Sequence, residues 1–395
     1  MKVTLGQLNI SALGKKFVNE ALDSNRLSRG KYTDRLESGF AAYHGCDHGV
    51  FCNSGTSALQ IALAALKEIH GYKYGDEVLV PATTFIATSN IVLQNDLKPV
   101  FVDVDRFTFN MNPRLIEEKI TQRTRAIIPV HLFGLPCDMP RIMEIARKHH
   151  LQVLEDSCET VFASIAGKRV GSFGDAACFS TYVNHIIVGG IGGLVLTNDD
   201  HVAEISRSLL AHGRDSVYTK IDDDDGLSGS KLQNIIERRF RFERLGYSYR
   251  ATEMEAAIAL SELEIHEENI TARRRNAASL MELLKPLQYH IQLPIIPEGS
   301  THAFMMFPMV CKSSVDRDSL LLFLEEHTIE TRYLFPLLEQ PVYKKLFPGL
   351  AERYPVAHHL AENGFMIGIH QGLDLEHIKY ISDIFYQFFR NLNAC

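Results

Sequence analysis

From residue 48 to about residue 200 the chain repeats one rhythm, a short β-rich apolar run followed by a helix-length segment. The runs are HGVFCNS, DEVLVPA, PVFVDVD, AIIPVHLFG, LQVLEDS, AACFSTY and GLVLTN. Short apolar runs that must be covered on both faces predict an α/β fold, with a mainly parallel sheet of about seven strands and helices on each side. Ligands of such sheets sit at the carboxyl ends of the strands, so the residues just after each run are the first candidates for chemistry. After about Asp200 the alternation stops. A polar stretch, KIDDDDGLSGSK, reads as an exposed acidic loop that could also cover a substrate. Next, TEMEAAIALSELEIHEENITARRRNAASLMELL carries apolar residues at three-to-four spacing and reads as one long helix. The change from a large domain, 1–260, to a smaller α+β domain, 261–395, is expected within it.

A chain of 395 residues with 46% hydrophobic content has room for two cores. Acidic residues outnumber basic ones by 48 to 41, so no strongly positive field marks nucleic acid or an anionic membrane as a general partner. The first residues, MKVTLGQLNISALGKKF, hold no long apolar stretch, and no run of membrane-spanning length comes later; the reading is a cytoplasmic protein. The seven cysteines form no C-x-x-C pair, and the histidines form no HExxH or Cys/His cluster. Free thiols and the absence of a metal site are expected.

Four strand ends carry residues with a chemical reading beside a structural one. Asn53-Ser54-Gly55-Thr56-Ser57 leads into the apolar helix ALQIALAAL, and a helix N-terminus opened by glycine and hydroxyls can receive a phosphate; Ser and Thr also cap helices for purely structural reasons. Asp156 ends LQVLED, where a buried carboxylate needs a cationic or proton-donating partner such as a pyridinium nitrogen, or else caps the next segment. Glu159 lies three residues on. Phe85, after DEVLVPA, could stack on a flat heterocycle or pack in the core. Ser180 ends a strand, His185 lies in the next loop, and Gly189, Gly190, Gly192 and Gly193 form a turn that lets backbone approach closely.

Taken in order, NSGTSALQIAL, GDEVLVPATTFIATSNIV, KPVFVDVD, IIPVHLFG, LEDSCE, GSFGDAACFS, GGIGG, HGR and LGYSYRATEMEAAI resemble the DegT/DnrJ-type sugar aminotransferases over nearly the whole chain. These are pyridoxal phosphate (PLP) enzymes of fold type I, the aspartate-aminotransferase-like fold. The resemblance implies a seven-stranded large domain, a smaller C-terminal domain and a homodimer with shared active sites. By position it implies that Gly55, Thr56 and Ser180 hold the cofactor phosphate, that Phe85 stacks on the ring and that Asp156 pairs with the ring nitrogen. Ser248 in GYSYR matches a residue that reaches the phosphate from the partner subunit. Glu159 stands where the aminotransferases usually have Gln.

Most of the family carries a lysine just before the glycine turn, and here the matching residue is His185. Imidazole forms no Schiff base, so the cofactor would be held non-covalently and could be kept as pyridoxamine phosphate (PMP). Lys168, the nearest upstream lysine, lies beyond a strand. Histidine here, with Glu159, is similar to the branch of 3-dehydratases acting on nucleotide-linked 4-keto-6-deoxyhexoses, the GDP-4-keto-6-deoxy-D-mannose enzyme among them. The chemistry implied is loss of the C3 hydroxyl with His185, ordinary pKa about 6.5, as base and then acid. L-Glutamate would regenerate PMP. His212, in HGR, aligns with a histidine that could orient substrate. A related CDP-sugar dehydratase uses an iron–sulfur cluster bound by four cysteines; no cysteine lies between Cys178 and Cys311, so iron independence is expected. The turn GGIGG departs from relatives that carry an acidic residue where Ile191 stands. An aminotransferase forming an amino sugar, and a non-catalytic PLP-fold binding protein, are the alternative readings.

Overall fold

The computed structural model describes residues 1–7, 9–215 and 225–394. Residues 216–224 fall outside it, and with them most of the acidic run. Seven strands form the larger sheet: β1 (His48–Cys52), β2 (Glu77–Pro81), β3 (Lys98–Val102), β4 (Thr124–Ile127), β5 (Gln152–Asp156), β6 (Ala176–Ser180) and β7 (Gly193–Thr197). Their order is β1-β7-β6-β5-β4-β2-β3. Only β7 runs antiparallel to its neighbours, β1 and β6; the remaining pairings are parallel. The seven apolar runs of the sequence thus supply the seven strands. Strands β2 and β6 are buried at every residue, as a sheet covered on both faces requires.

Helices α1 (Ala12–Asp23), α2 (Lys31–His44) and α3 (Gly55–His70) accompany the start of this sheet. Helix α3 buries ten of its residues, Gly55, Ser57–Leu63, Ala65 and Leu66, because its small and aliphatic side chains let it lie directly on the strands. The segment expected as one helix is two, α4 (Glu253–Glu264) and α5 (His266–Leu284). At the junction Ile265 has φ −110° and ψ 13°, and its N–H reaches Glu262 O rather than one full turn back. The break lets each half serve a different core: α4 packs on α1 and α2, and α5 on the terminal helix α6 (Leu375–Ala394).

A second, antiparallel sheet comes next, with β8 (Ile291–Gln292), β9 (Met306–Cys311), β10 (Thr331–Tyr333) and β11 (Gly364–Gly368) in the order β8-β9-β11-β10. Its core joins Phe307, Met309, Phe365, Ile367 and Phe385. Val3, near the start of the chain, belongs to this second core and pairs with Ile329. Asp103, just past β3, accepts N–H groups of Val356 (3.0 Å) and Ala357 (2.9 Å), capping a helix of the C-terminal part from the edge of the first sheet. No described helix is long and apolar enough to cross a membrane.

Helix α2 has glycine at its N-cap and no side-chain cap of its own. Glu253, the first residue of α4, takes that place: it accepts the N–H groups of Gly30 (2.7 Å), Tyr32 (2.9 Å) and Thr33 (3.0 Å) and the Thr33 hydroxyl, fully buried. Glu253→Ala would leave these donors dry and unpaired, so we expect a loss of about 3 kcal/mol in denaturant unfolding, with a smaller loss for Glu253→Gln.

Candidate active site

The carboxyl ends of β1, β5 and β6 converge on the start of α3. Ser54 caps that helix, accepting the Ser57 N–H at 3.0 Å, so its hydroxyl has the structural role. Gly55 lies so close to the neighbouring strand that a Cβ there would come within 2.8 Å of both Ser180 Cβ and Cys158 Sγ. Glycine is what allows the helix N-terminus, with the Gly55 and Thr56 amides, to stand directly beside Ser180. The glycine turn serves the same closeness. Gly192 has φ +140°, and a Cβ on Gly193 would lie 2.4 Å from Ser54 O. The backbone that the turn approaches is that of Ser54. Ile191 itself is 49% exposed.

Alternate residues of β5 face opposite sides of the sheet and find different partners. Glu155 is satisfied: it accepts N–H groups of Gly171 (2.8 Å), Phe173 (2.7 Å) and Gly174 (2.8 Å) and meets His131 Nε2 at 3.1 Å. Burial would raise its pKa, but His131 and these amides outweigh it and hold the carboxyl below the ordinary value. Asp156 has only neutral partners, the Thr88 hydroxyl at 2.7 Å and the Cys158 N–H at 3.2 Å. Burial pushes its pKa up in spite of them. Glu159, also buried, accepts the Phe133 N–H at 2.9 Å. Burial drives it up to about 8 against that hydrogen bond, with the nearby Asp156 charge adding to the rise. Two buried carboxyls without a cation fit a guest that brings positive charge or a donated proton to them, as a protonated pyridine ring does.

His185 lies in this same place. Its Nδ1 is buried without a hydrogen-bond partner, while the residue as a whole is half-buried. Burial lowers its pKa to about 4, opposed by the backbone at Cys158 and Ser180 and assisted by the charge of Arg273. The ring is therefore neutral at pH 7, with a pKa below the unperturbed 6.5 that the sequence suggests, so it is a weaker base and, once protonated, a stronger acid than a free imidazole. Lys168 is exposed on a two-stranded hairpin, its ammonium 4.7 Å from the ring centroid of Phe173.

Phe85 is the N-cap of the helix after β2 and is 55% exposed. Its ring meets that of Phe335 in a T-shaped contact at 6.0 Å, and Phe335 stacks on Phe133 at 5.4 Å. Ser248 and His212 stand together elsewhere: both are exposed, and Arg250 Nη2 reaches Ser248 Oγ at 2.9 Å and His212 Nε2 at 3.0 Å. The segment bearing them passes Asn53, whose N–H donates to Tyr249 O at 2.7 Å, with Tyr247 and Tyr249 stacked at 4.5 Å. Several of these residues escape a reading of the sequence. Thr88 is signalled by its place one turn after Thr84, to which it is hydrogen-bonded at 2.9 Å. Phe133 and Phe335 carry no local signal, since only tertiary packing brings them to Phe85.

Residues 9–385 match the DegT/DnrJ/EryC1/StrS aminotransferase family. The chain belongs to this family. This DegT/DnrJ-type chain is 36% identical over 363 residues to the GDP-perosamine synthase of Caulobacter vibrioides, covering 91% of each chain. It is 37% identical over 369 residues to a UDP-N-acetyl-3-dehydro-alpha-D-glucosamine 3-aminotransferase of Acidithiobacillus ferrooxidans, covering 93% of this chain and 91% of that one. Among solved structures it resembles the Escherichia coli GDP-4-keto-6-deoxy-D-mannose-3-dehydratase with bound hydrated PLP, at TM-score 0.88 and 28% identity, over 97% of this chain and 99% of that one. The fold is that of PLP fold type I, and the family is one of PLP-dependent sugar aminotransferases.

The buried groups set a pH dependence of stability. His44, His185 and His370 are lowered by burial to about 4 and His302 to about 3. Unfolding returns them to about 6.5, so in the window between these values the unfolded chain binds more protons and acidification destabilises the fold. Glu159, raised by burial to about 8, and Glu262, raised to about 7, act with the opposite sign above about 4.5. Asp156, also raised by burial, adds a third such carboxyl, and the four imidazoles outweigh the three. We expect stability to fall, and unfolding to take up protons, as pH drops from about 6.5 toward about 4.5; denaturant unfolding across pH measures it.

Proposed function

We propose that this chain removes the C3 hydroxyl of a nucleotide-linked 4-keto-6-deoxyhexose, using PMP/PLP held without a covalent bond and L-glutamate as the amino donor. The observation that carries this reading is His185, a neutral imidazole with a buried, unpartnered Nδ1 beside Ser180 and Cys158 where the family resemblance puts a lysine. When bound, the cofactor supplies an electron sink for the sugar carbons. Gly55, Thr56 and Ser180 would receive its phosphate, Phe85 would cover one face of its ring, and Asp156 would meet its ring nitrogen. His185 would take up a proton and return it to the departing C3 hydroxyl, so one group serves both halves of an elimination. A pKa near 4 makes its protonated form a strong acid for that second half.

Amino-group transfer to the same kind of sugar is the second reading, favoured by the names of the sequence relatives, a perosamine synthase and a 3-aminotransferase. One incubation separates the two: GDP-4-keto-6-deoxy-D-mannose with PMP, glutamate and the protein. A 3-deoxy keto sugar with ammonia release supports the dehydratase; GDP-perosamine overturns it in favour of transfer, and PMP binding without product favours a binding protein.

Variants sharpen the choice. His185→Asn is expected to retain PMP binding and to lower turnover by at least about 100-fold, since it removes an acid/base group; unchanged turnover removes that role. His185→Lys is expected to fix PLP to the chain by borohydride, and absence of such a product in mass spectra would place residue 185 away from the cofactor.

We also take 1–260 as the cofactor-binding unit and 261–395 as the smaller one, and propose a homodimer. Phe240, 82% exposed, and Leu245, 99% exposed, precede Ser248 and Arg250 in the same segment and would be covered by the second copy. Leu245→Asp is expected to shift a dimer toward monomer in sedimentation and to weaken PLP binding, because Ser248 would then no longer reach the partner's site.

A further inference from the structure

Helix α5 carries three consecutive arginines, and two of them turn inward. Arg273 is buried and its Nη1 donates to the carbonyls of Phe304 and Met305, both at 3.1 Å. Arg274 Nε donates to His302 O at 2.9 Å and its Nη2 to Phe162 O at 3.1 Å. The segment 302–305 held in this way is itself joined to 133–134: Ala303 N–H donates to Gly134 O at 2.8 Å, and Met305 N–H to Phe133 O at 3.0 Å. The fit is close enough that a Cβ on Gly134 would lie 2.5 Å from Phe304 N. On its other side the same backbone faces the site, where Phe133 N–H donates to Glu159 at 2.9 Å and Gly134 N–H to Thr160 Oγ1 at 3.1 Å.

Phe133 and Phe304 both have left-handed backbone, φ 58° and 49°. Phenylalanine adopts that region at an energetic cost and keeps it only where the surroundings over-determine it. The arginine donors on one side and the paired backbone on the other supply that determination. A guanidinium taken out of water to hold two carbonyls is a costly way merely to fill space, since an aliphatic side chain fills it without desolvating a charge.

We propose that Arg273 is a positioning residue for Glu159: through Phe304–Met305 and Phe133–Gly134 it fixes the N–H that holds this carboxyl toward the cofactor ring. The proposal rests on the reading that PLP or PMP binds beside Asp156 and Glu159, and it ties the C-terminal sheet's helix to the cofactor site of the larger sheet.

The test uses the full chain and PLP alone, without sugar, so a failed dehydration assay leaves it standing. Arg273→Met should weaken PLP binding by about tenfold, one such step being a modest loss of contact energy, and should change the visible circular dichroism of bound PLP. In a Glu159→Gln background the same substitution should have little further effect on either readout, because the two residues act along one path. An Arg273→Met protein with a lowered melting temperature but parental PLP affinity and dichroism overturns the proposal, as does simple additivity with Glu159→Gln. Should the Met variant not fold, Arg273→Lys, which keeps a cation and donors, is read in the same cycle with an intermediate effect expected; additivity there overturns the proposal equally. A parent protein that binds no PLP would remove the cofactor reading and the proposal together, whereas normal binding by the variants removes the proposal alone.

Discussion

Two carboxyls buried at the end of the central strand govern the rest of this structure. Asp156 and Glu159 are out of water with hydroxyl and amide partners only, and burial raises both pKa values. Burial disfavours the charged form of each, and a guest that brings positive charge or a donated proton would favour it again. Their neighbour Glu155 shows the contrast within one strand: three backbone amides and His131 satisfy it, and it has no vacancy to offer a ligand.

Around those carboxyls the fold arranges close approaches that only glycine permits. Gly55 brings the start of α3 onto Ser180, and Gly193 brings β7 onto the carbonyl of Ser54. A helix end able to receive an anion and two buried carboxyls are thereby set close to one another. His185 enters the same space with a neutral ring. An imidazole can move a proton but forms no Schiff base, and this is the chemical basis of the reading proposed above.

The two parts of the chain are not independent in serving this site. Phe335 of the C-terminal part touches Phe85, Asp103 caps a C-terminal helix, and Val3 crosses to the second core. Such contacts make the geometry of the pocket depend on how the smaller sheet docks, although every residue that sequence reasoning selected as a ligand of the cofactor lies before residue 260.

The sequence by itself determined the seven strands and the family. Apolar runs of strand length must be buried on both faces, and this is a local property that period and composition record. Asp156, Gly55, Ser180 and Phe85 stand out in the sequence as candidates because each lies at or just after the end of such a run, and the motif order carried the family. The break of the expected long helix at Ile265 was not legible, because each half keeps a helical pattern and only packing against two different cores separates them. The same holds for Phe133, Phe335 and Arg273, whose roles rest on partners far away in the chain. Tertiary structure alone decided the ionisation of the site as well: the type of a side chain is written in the sequence, but its desolvation and its neighbours, which move Glu159 up to about 8 and His185 down to about 4, exist only once the chain is folded.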